Sequence, residues 1–216
     1  PILAQYPSVS PSYDGQKREQ NKLLASVNTV VPIVVILIYI TIAFTFRSYD
    51  QPLLLILLIP LSLIGVVWGH YIHGFPINIL SWLGIIALIG IMVNDGLVLI
   101  GKFNTYLQDG MPFDKALYEA SKSRFRAIFL TSLTTIAGLT PLIFEESRQA
   151  QFLIPMAISI AYGIGVATAL TLVVLPIYLS LTNSLKVRFK WLFSGKMVPK
   201  EQVERAIIEL KTDAHD

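Results

Sequence analysis

The most regular feature of this chain is a series of long apolar runs separated by short polar turns. A run of about 20 residues has the length of a transmembrane helix, because each residue adds 1.5 Å and the hydrocarbon core of a bilayer is roughly 30 Å thick. The sequence therefore predicts an all-α membrane protein, a polytopic helical bundle. Its five predicted transmembrane helices cover about residues 23–46, 53–71, 79–103, 127–144 and 152–181.

The segments between and around these spans are polar. Residues 1–22 predict a loop on the outer side of the membrane, at the end of a preceding domain, and residues 182–216 predict a charged tail. Residues 112–124 alternate apolar and charged positions, which predicts a separate amphipathic helix at the membrane surface. The chain begins at Pro1 with no apolar leader, so we expect it to be a piece of a longer polypeptide.

The distribution of basic residues predicts the orientation. Of the 17 Lys and Arg residues, 13 fall in the turn at Arg47, the segment 102–126 and the tail, which five spans place on one side of the membrane. Cytoplasmic segments are enriched in Lys and Arg. We therefore expect a cytoplasmic C-terminus and an N-terminus on the opposite side.

Composition narrows the classes of function. Charged residues make up 14% of the chain, against about 25% in an ordinary soluble domain. The net charge of +3 is explained by membrane topology, and we expect no nucleic-acid partner. The chain has no cysteine and contains neither a GxxxxGK[ST] loop nor an HExxH motif. We therefore predict a protein that is not an enzyme and that carries no cofactor or metal.

Asp95 is the one carboxylate that the sequence places deep in a predicted span. It lies about eight residues, or roughly 12 Å, from the cytoplasmic end of the third span. An ionised Asp at such depth costs about 2.5–3.5 kcal/mol on insertion scales, and intramembrane carboxylates mark proton relays. The alternative is a neutral Asp95 that hydrogen-bonds a neighbouring helix. Asn94 by itself fits helix packing better than a functional site. Most of the hydroxyls of the fourth span fit hydrogen bonds to carbonyls of their own helix, and the alternative is that they hold a file of water near the depth of Asp95: Thr131, Ser132, Thr134 and Thr135.

Four stretches carry a family resemblance. They are FRSYDQPLLLILLIPLSLIGVVWG (46–69), IGIMVNDGLVLI (89–100), RFRAIFLTSLTTIAGLTPLIFEES (124–147) and QAQFLIPMAISIAYGIGVATALTLVVLPIYL (149–179). In this order and spacing the chain resembles the last five helices of resistance–nodulation–division (RND) efflux transporters. The resemblance covers nearly three quarters of the chain and leaves the tail outside it.

The resemblance implies a function and a set of partners. It implies half of a two-repeat, twelve-helix transporter in the bacterial inner membrane, with a periplasmic N-terminus, that exports substrates in exchange for entering protons. The implied partners are the first-half helices and periplasmic domains of the same transporter, two further copies in a homotrimer, a periplasmic adaptor, an outer-membrane channel and the lipid bilayer. The alternatives are a Sec-associated or lipid-exporting protein of the same fold, and a structural helix bundle without its own relay.

The resemblance also assigns candidate relay residues. Drug-exporting members have a lysine in the third of these helices and an arginine and a threonine in the fourth, which correspond to Asn94, Arg124 and Thr131. Asn94 is a departure, because an amide cannot neutralise an aspartate of the missing half. Asp95 occupies the next position, where those members have an uncharged residue. We therefore expect Asp95, Asn94, Thr131 and Arg124 to form the relay region of this chain.

Overall fold

The computed structural model describes residues 32–194 and 199–208, without the side chains of residues 193 and 194. The chain divides into two compact units, and the boundary between them falls after Ile38. In chain order the helices are α1 (Pro32–Phe46), α2 (Asp50–His73), α3 (Ile79–Gln108), α4 (Phe113–Ile143), α5 (Arg148–Ala169) and α6 (Leu175–Ser194). A π-helical turn, Leu170–Val174, joins α5 to α6, and a 3₁₀ turn covers Lys200–Val203.

The all-α fold class is confirmed by this architecture. Within the described ranges, α2, α3, α4 and the continuous helix Arg148–Leu192 are each long and apolar enough to cross a membrane. Helix α1, over Pro32–Phe46, is a shorter apolar helix. Residues 23–31 of the predicted first span lie outside the described residues. The helical part of the second span begins three residues earlier than predicted, at Asp50.

The predicted boundary between a surface helix and the fourth span is wrong. Residues 112–124 were expected as a separate amphipathic helix and 127–144 as a span, but α4 is one uninterrupted helix over Phe113–Ile143. The sequence has no Gly or Pro between residues 113 and 137 that would interrupt the backbone hydrogen bonds. The charged first turns of α4 therefore extend the apolar part of the same helix.

The helix of the fifth span does not end at residue 181, where the predicted span ends. Helical structure continues through α6 to Ser194, and Arg148–Leu192 forms 45 continuous residues. At 1.5 Å per residue this is about 68 Å, more than twice the hydrocarbon thickness. The π-helical turn lies just before Pro176, whose ring clashes with the carbonyl four residues earlier in a regular α-helix. One wider turn relieves that clash and lets the helix continue.

Helix α5 is the centre of the bundle and contacts α2, α3 and α4. Its buried face consists of small and medium apolar side chains, including Ile154, Ala157, Ile158 and Ala161. Small residues let helices approach closely where burial in lipid gives little drive for association. Helix α3 approaches α5 closely at Gly84, where an added Cβ would lie 2.7 Å from the carbonyl oxygen of Met156.

Polar groups tie the helix ends together. Asn78 caps α3 by accepting from the backbone N–H groups of Leu80 and Ser81, and Ser81 Oγ accepts from Asn78 N, so that both parts of a capping box are present. At the other end of α3, the buried amides of Gln51 and Asn104 exchange two hydrogen bonds of 2.9 and 3.1 Å. This reciprocal pair joins the start of α2 to the end of α3.

Residues 199–208, the tail segment, pack on the end of the bundle where α2 and α4 begin. Glu201 Oε1 accepts a hydrogen bond of 2.9 Å from the backbone N–H of Phe113, the first residue of α4. Lys200 pairs with Asp114 at 2.8 Å. The Glu204 carboxylate is buried and accepts a 2.7 Å hydrogen bond from Asn183 on α6. The tail segment thus contacts α4 and α6 through side chains far apart in sequence.

Candidate functional site

Asp95 lies past the midpoint of α3 and is partly buried. The preceding Met92 and Val93 are buried, and the next residue, Gly96, packs directly against Leu55 of α2. Within residues 32–194 and 199–208 no hydrogen bond or ion pair joins Asp95 to another residue. The described part of the chain therefore holds a carboxylate in an apolar helix and supplies no hydrogen-bonding or charged partner for it.

Asn94 belongs to an open stripe along α3. It is exposed, and so are Gly90 and Val98, which lie one turn before and one turn after it. A side chain added at Gly90 would meet nothing within 4 Å. Small and polar residues on the open face of an apolar helix are typical of surfaces that pack on another membrane helix.

Arg124 and Thr131, the two candidate residues of α4, lie on one face of that helix. They are seven residues apart, and seven residues make about two full turns. Thr131 is exposed, and its hydroxyl donates a 2.9 Å hydrogen bond to the Ala127 carbonyl. Thr134 and Thr135 also donate to carbonyls of their own helix. Each hydroxyl still has lone pairs that can accept a hydrogen bond.

Arg124 is partly buried, and its Nε atom has no hydrogen-bond acceptor in the described residues. A buried guanidinium N–H without an acceptor is costly, so a position of this kind calls for an acceptor from elsewhere. Helices α3 and α4 pack on each other, yet no described hydrogen bond or ion pair links Asp95 or Asn94 to Arg124 or Thr131. The structure thus places the four candidates on two neighbouring helices, and no hydrogen bond or ion pair in the described residues joins the pair on α3 to the pair on α4.

Two polar contacts of the bundle were missed by sequence reasoning. The imidazole of the buried His70 joins α2 to α5: its Nε2 lies 3.0 Å from Ser159 Oγ, while its Nδ1 faces the nearby Phe75 carbonyl at 3.1 Å. The hydroxyls of Ser132 and Thr168 form a hydrogen bond between α4 and α5. His70 and Ser159 are 89 positions apart and Ser132 and Thr168 are 36 apart, so no local pattern could have indicated these two contacts.

The described residues contain no group of three or more His, Asp or Glu side chains that could hold a metal ion. The buried and partly buried polar groups of the bundle include hydroxyls, amides, His70, Asp95, Arg124 and Glu204. Such a set can exchange protons and hydrogen bonds. These polar groups and the apolar helices together define the class of protein. It is an integral membrane helical bundle in which one carboxylate, Asp95, lies within the apolar part of a described helix.

Comparison with known proteins gives the family. Residues 3–182 match the model of the AcrB/AcrD/AcrF family, and the chain belongs to this family of RND efflux transporters. The predicted resemblance is therefore confirmed. The match ends at residue 182, before the tail segment begins.

Relatives include both drug and metal resistance proteins. The chain is 26% identical over 185 residues to multidrug resistance protein MdtC of Erwinia amylovora, covering 85% of this chain and 18% of that protein. It is 31% identical over 170 residues to nickel and cobalt resistance protein CnrA of Cupriavidus metallidurans, covering 79% and 16%. A crystal structure of a heavy metal efflux pump matches with a TM-score of 0.68 and 25% identity, over 84% of this chain and 18% of that one. The chain spans less than a fifth of the length of each.

Proposed function

We propose that this chain is the membrane-spanning C-terminal part of an RND-type exporter driven by the proton motive force, located in the bacterial inner membrane. Family membership supports an efflux transporter. The excess of Lys and Arg on one side supports a cytoplasmic C-terminus and a periplasmic N-terminus. In this orientation the tail segment and the charged first turns of α4 lie in the cytoplasm.

The proposed partners are the first-half helices and periplasmic domains of the same transporter, in a homotrimer that engages a periplasmic adaptor and an outer-membrane channel. The open stripe of α3 supports contact with further helices. It combines Gly90, which has free space above it, with the exposed amide of Asn94. On α4, Gly138 and Thr134 offer a similar small and polar surface.

Asp95 is the proposed proton-carrying group of this half. The observation that carries this proposal is a partly buried carboxylate in an apolar helix with no described partner. Leaving an ionised Asp in that position costs about 2.5–3.5 kcal/mol, so a group that alternates between neutral and ionised forms fits better than a permanently charged one. Asn94 would form a hydrogen bond with a neighbouring water molecule or with a carboxyl group of the first-half helices of the transporter.

Arg124 and Thr131 are the proposed supporting residues. The unsatisfied Nε of Arg124 supports an acceptor supplied from outside this chain, such as a carboxylate of the first-half helices. The exposed Thr131 hydroxyl is free to accept a hydrogen bond from water on the same face of α4. In this arrangement α3 supplies the proton site and α4 supplies the stabilising donors.

The test compares the full-length transporter with its Asp95→Asn variant in lipid. We expect an infrared carboxyl band that changes between about pH 5 and 9, is absent in Asp95→Asn and disappears together with proton-coupled efflux. Val98→Ala, one turn further along the open stripe of α3, serves as the matched control and should keep both the band and efflux. Full proton-coupled efflux in Asp95→Asn would show that Asp95 is a packing residue and that the relay lies in the missing half.

Hydrophobic compounds are the proposed substrate class, as for the relatives named for multidrug resistance. Expression of the full-length protein in an efflux-deficient strain should raise resistance to detergents and dyes. Raised resistance to nickel, cobalt or zinc alone would assign the metal branch instead, in keeping with the other relatives. A defect in protein export on deletion, with no change in resistance, would favour the Sec-associated alternative.

A further inference from the structure

A cavity of about 550 Å³ opens beside the end of α1. Seven residues line it, and we name it the arginine cavity: Tyr39, Ile40, Ala43, Phe44, Arg47, Tyr49 and Arg205. Its volume falls in the range of sites that take a small molecule or one chain of a lipid. Nothing in the proposed transport function uses it.

The walls of the cavity are apolar along α1. Residues 40, 43, 44 and 47 follow the helical spacing of three and four, so they share one face of the helix. Ile40 and Phe44 are 44% and 80% exposed, which leaves a hydrophobic strip leading away from Arg47 along α1. In a membrane this strip meets acyl chains instead of water.

The charged end of the cavity is basic. Arg47 and Arg205 are both exposed, and neither forms a hydrogen bond or ion pair within residues 32–194 and 199–208. The acidic residues closest to them in sequence are engaged elsewhere, because Lys186 pairs with Asp50 at 2.8 Å and lies 3.8 Å from Glu204. Two arginines therefore line the cavity, and no carboxylate residue is among its lining residues.

The fold fixes the backbone next to Arg205 and gives Arg47 a specific backbone conformation. Arg205 follows Glu204, whose buried carboxylate is fixed by Asn183 at 2.7 Å. Arg47 follows the last residue of α1 and has φ 46°, in the left-handed region where glycine is the usual occupant. In this conformation the backbone at Arg47 turns sharply away from the helix, two residues before Tyr49.

We propose that the arginine cavity binds one anionic phospholipid of the cytoplasmic leaflet. Arg47 and Arg205 bind its phosphate, since guanidinium groups pair with phosphate oxygens through two parallel hydrogen bonds. An acyl chain lies along the apolar strip of α1, and Tyr49 sits at headgroup level, where aromatic residues are enriched. Basic pockets at the cytoplasmic ends of membrane helices take anionic headgroups. The assignment rests on the cytoplasmic placement of this end in the proposed function.

The test measures lipid retention by the purified full-length transporter. Delipidated protein in detergent is mixed with phosphatidylglycerol or phosphatidylethanolamine, and bound lipid is counted by native mass spectrometry. We expect one phosphatidylglycerol per protomer to be held more tightly than phosphatidylethanolamine. Each arginine near an anionic surface changes binding about fivefold, so Arg47→Gln/Arg205→Gln should weaken retention about 30-fold. Arg188→Gln is the matched control, because Arg188 is another arginine of the C-terminal part of the chain, on α6, and does not line the cavity. This variant should retain the lipid.

Two further arms separate the possible ligands and the two proposals. A large excess of inorganic phosphate should leave phosphatidylglycerol bound, whereas displacement would assign a free phosphate site and overturn the lipid proposal. Equal retention of both lipids by the wild type, or undiminished retention by the double variant, would also overturn it. Asp95→Asn should lose proton-coupled efflux and keep the lipid, because retention is measured without a proton gradient.

Discussion

Gly84 sets the distance between α3 and the central helix α5, and replacing it with alanine tests how tightly the bundle is packed. The new Cβ would lie 2.7 Å from the carbonyl oxygen of Met156 and 2.8 Å from Cβ of Ser159. Neither atom is the end of a flexible side chain, so the helices must separate. Overpacking of this kind costs about 1–3 kcal/mol, against a gain of about 0.5–1 kcal/mol for alanine over glycine within a helix. The expected net loss therefore lies between about 0 and 2.5 kcal/mol, with a central value of about 1 kcal/mol.

The matched control is Gly101→Ala on the same helix. There the added Cβ would lie 3.6 Å from the Phe46 ring, an ordinary van der Waals contact, so only the helix-propensity gain remains. The assay is the thermal midpoint of the detergent-solubilised full-length transporter, followed by size-exclusion chromatography after heating. We expect Gly84→Ala to melt below the wild type and Gly101→Ala to melt at or above it. Equal midpoints for the two variants would show that the α3–α5 contact is looser than described.

Three other substitutions test polar contacts, the first two by the same thermal assay and the third by proteolysis. Asn104→Leu leaves the buried Gln51 amide without its partner and should lower the free energy of unfolding by about 1–3 kcal/mol. The double variant Gln51→Leu/Asn104→Leu should recover part of that loss, and additive losses would contradict the pairing. Ser81→Ala removes half of the α3 capping box and should cost about 1 kcal/mol, and an unchanged midpoint would show that the cap adds nothing. Glu204→Ala removes the buried acceptor of the tail segment and should make the segment sensitive to protease, which limited trypsin digestion would detect against intact wild type.

Hydrophobic length was enough to predict the helical class and the approximate centres of the spans. The boundaries that failed are those where charged residues continue a helix instead of ending it. In α4 the charged turns before residue 124 and the apolar turns after it share one backbone, since no Gly or Pro interrupts them. The same holds after residue 181, where α6 runs on to Ser194. Polarity indicates where a helix leaves lipid, whereas backbone chemistry decides where it ends.

The candidate site was only partly predictable. Asp95 could be singled out because one carboxylate in an apolar run is conspicuous in sequence. The contact of His70 with Ser159 joins residues 89 positions apart, and Arg205 reaches its cavity only because the tail segment folds back. Such contacts depend on how helices pack, which the hydrophobic pattern of a single chain does not contain.

The hydrogen bond from the backbone of Phe113 to Glu201 has a consequence for any change at the C-terminus. Pro112, at the start of α4, provides no side-chain cap, so the first N–H of this helix is satisfied by a residue 88 positions later. The helix that begins there carries Arg124 and Thr131. A truncation before residue 199, or a bulky fusion that displaces the tail segment, would therefore fray the start of α4, and transport assays on such a protein would report on a helix that was never mutated.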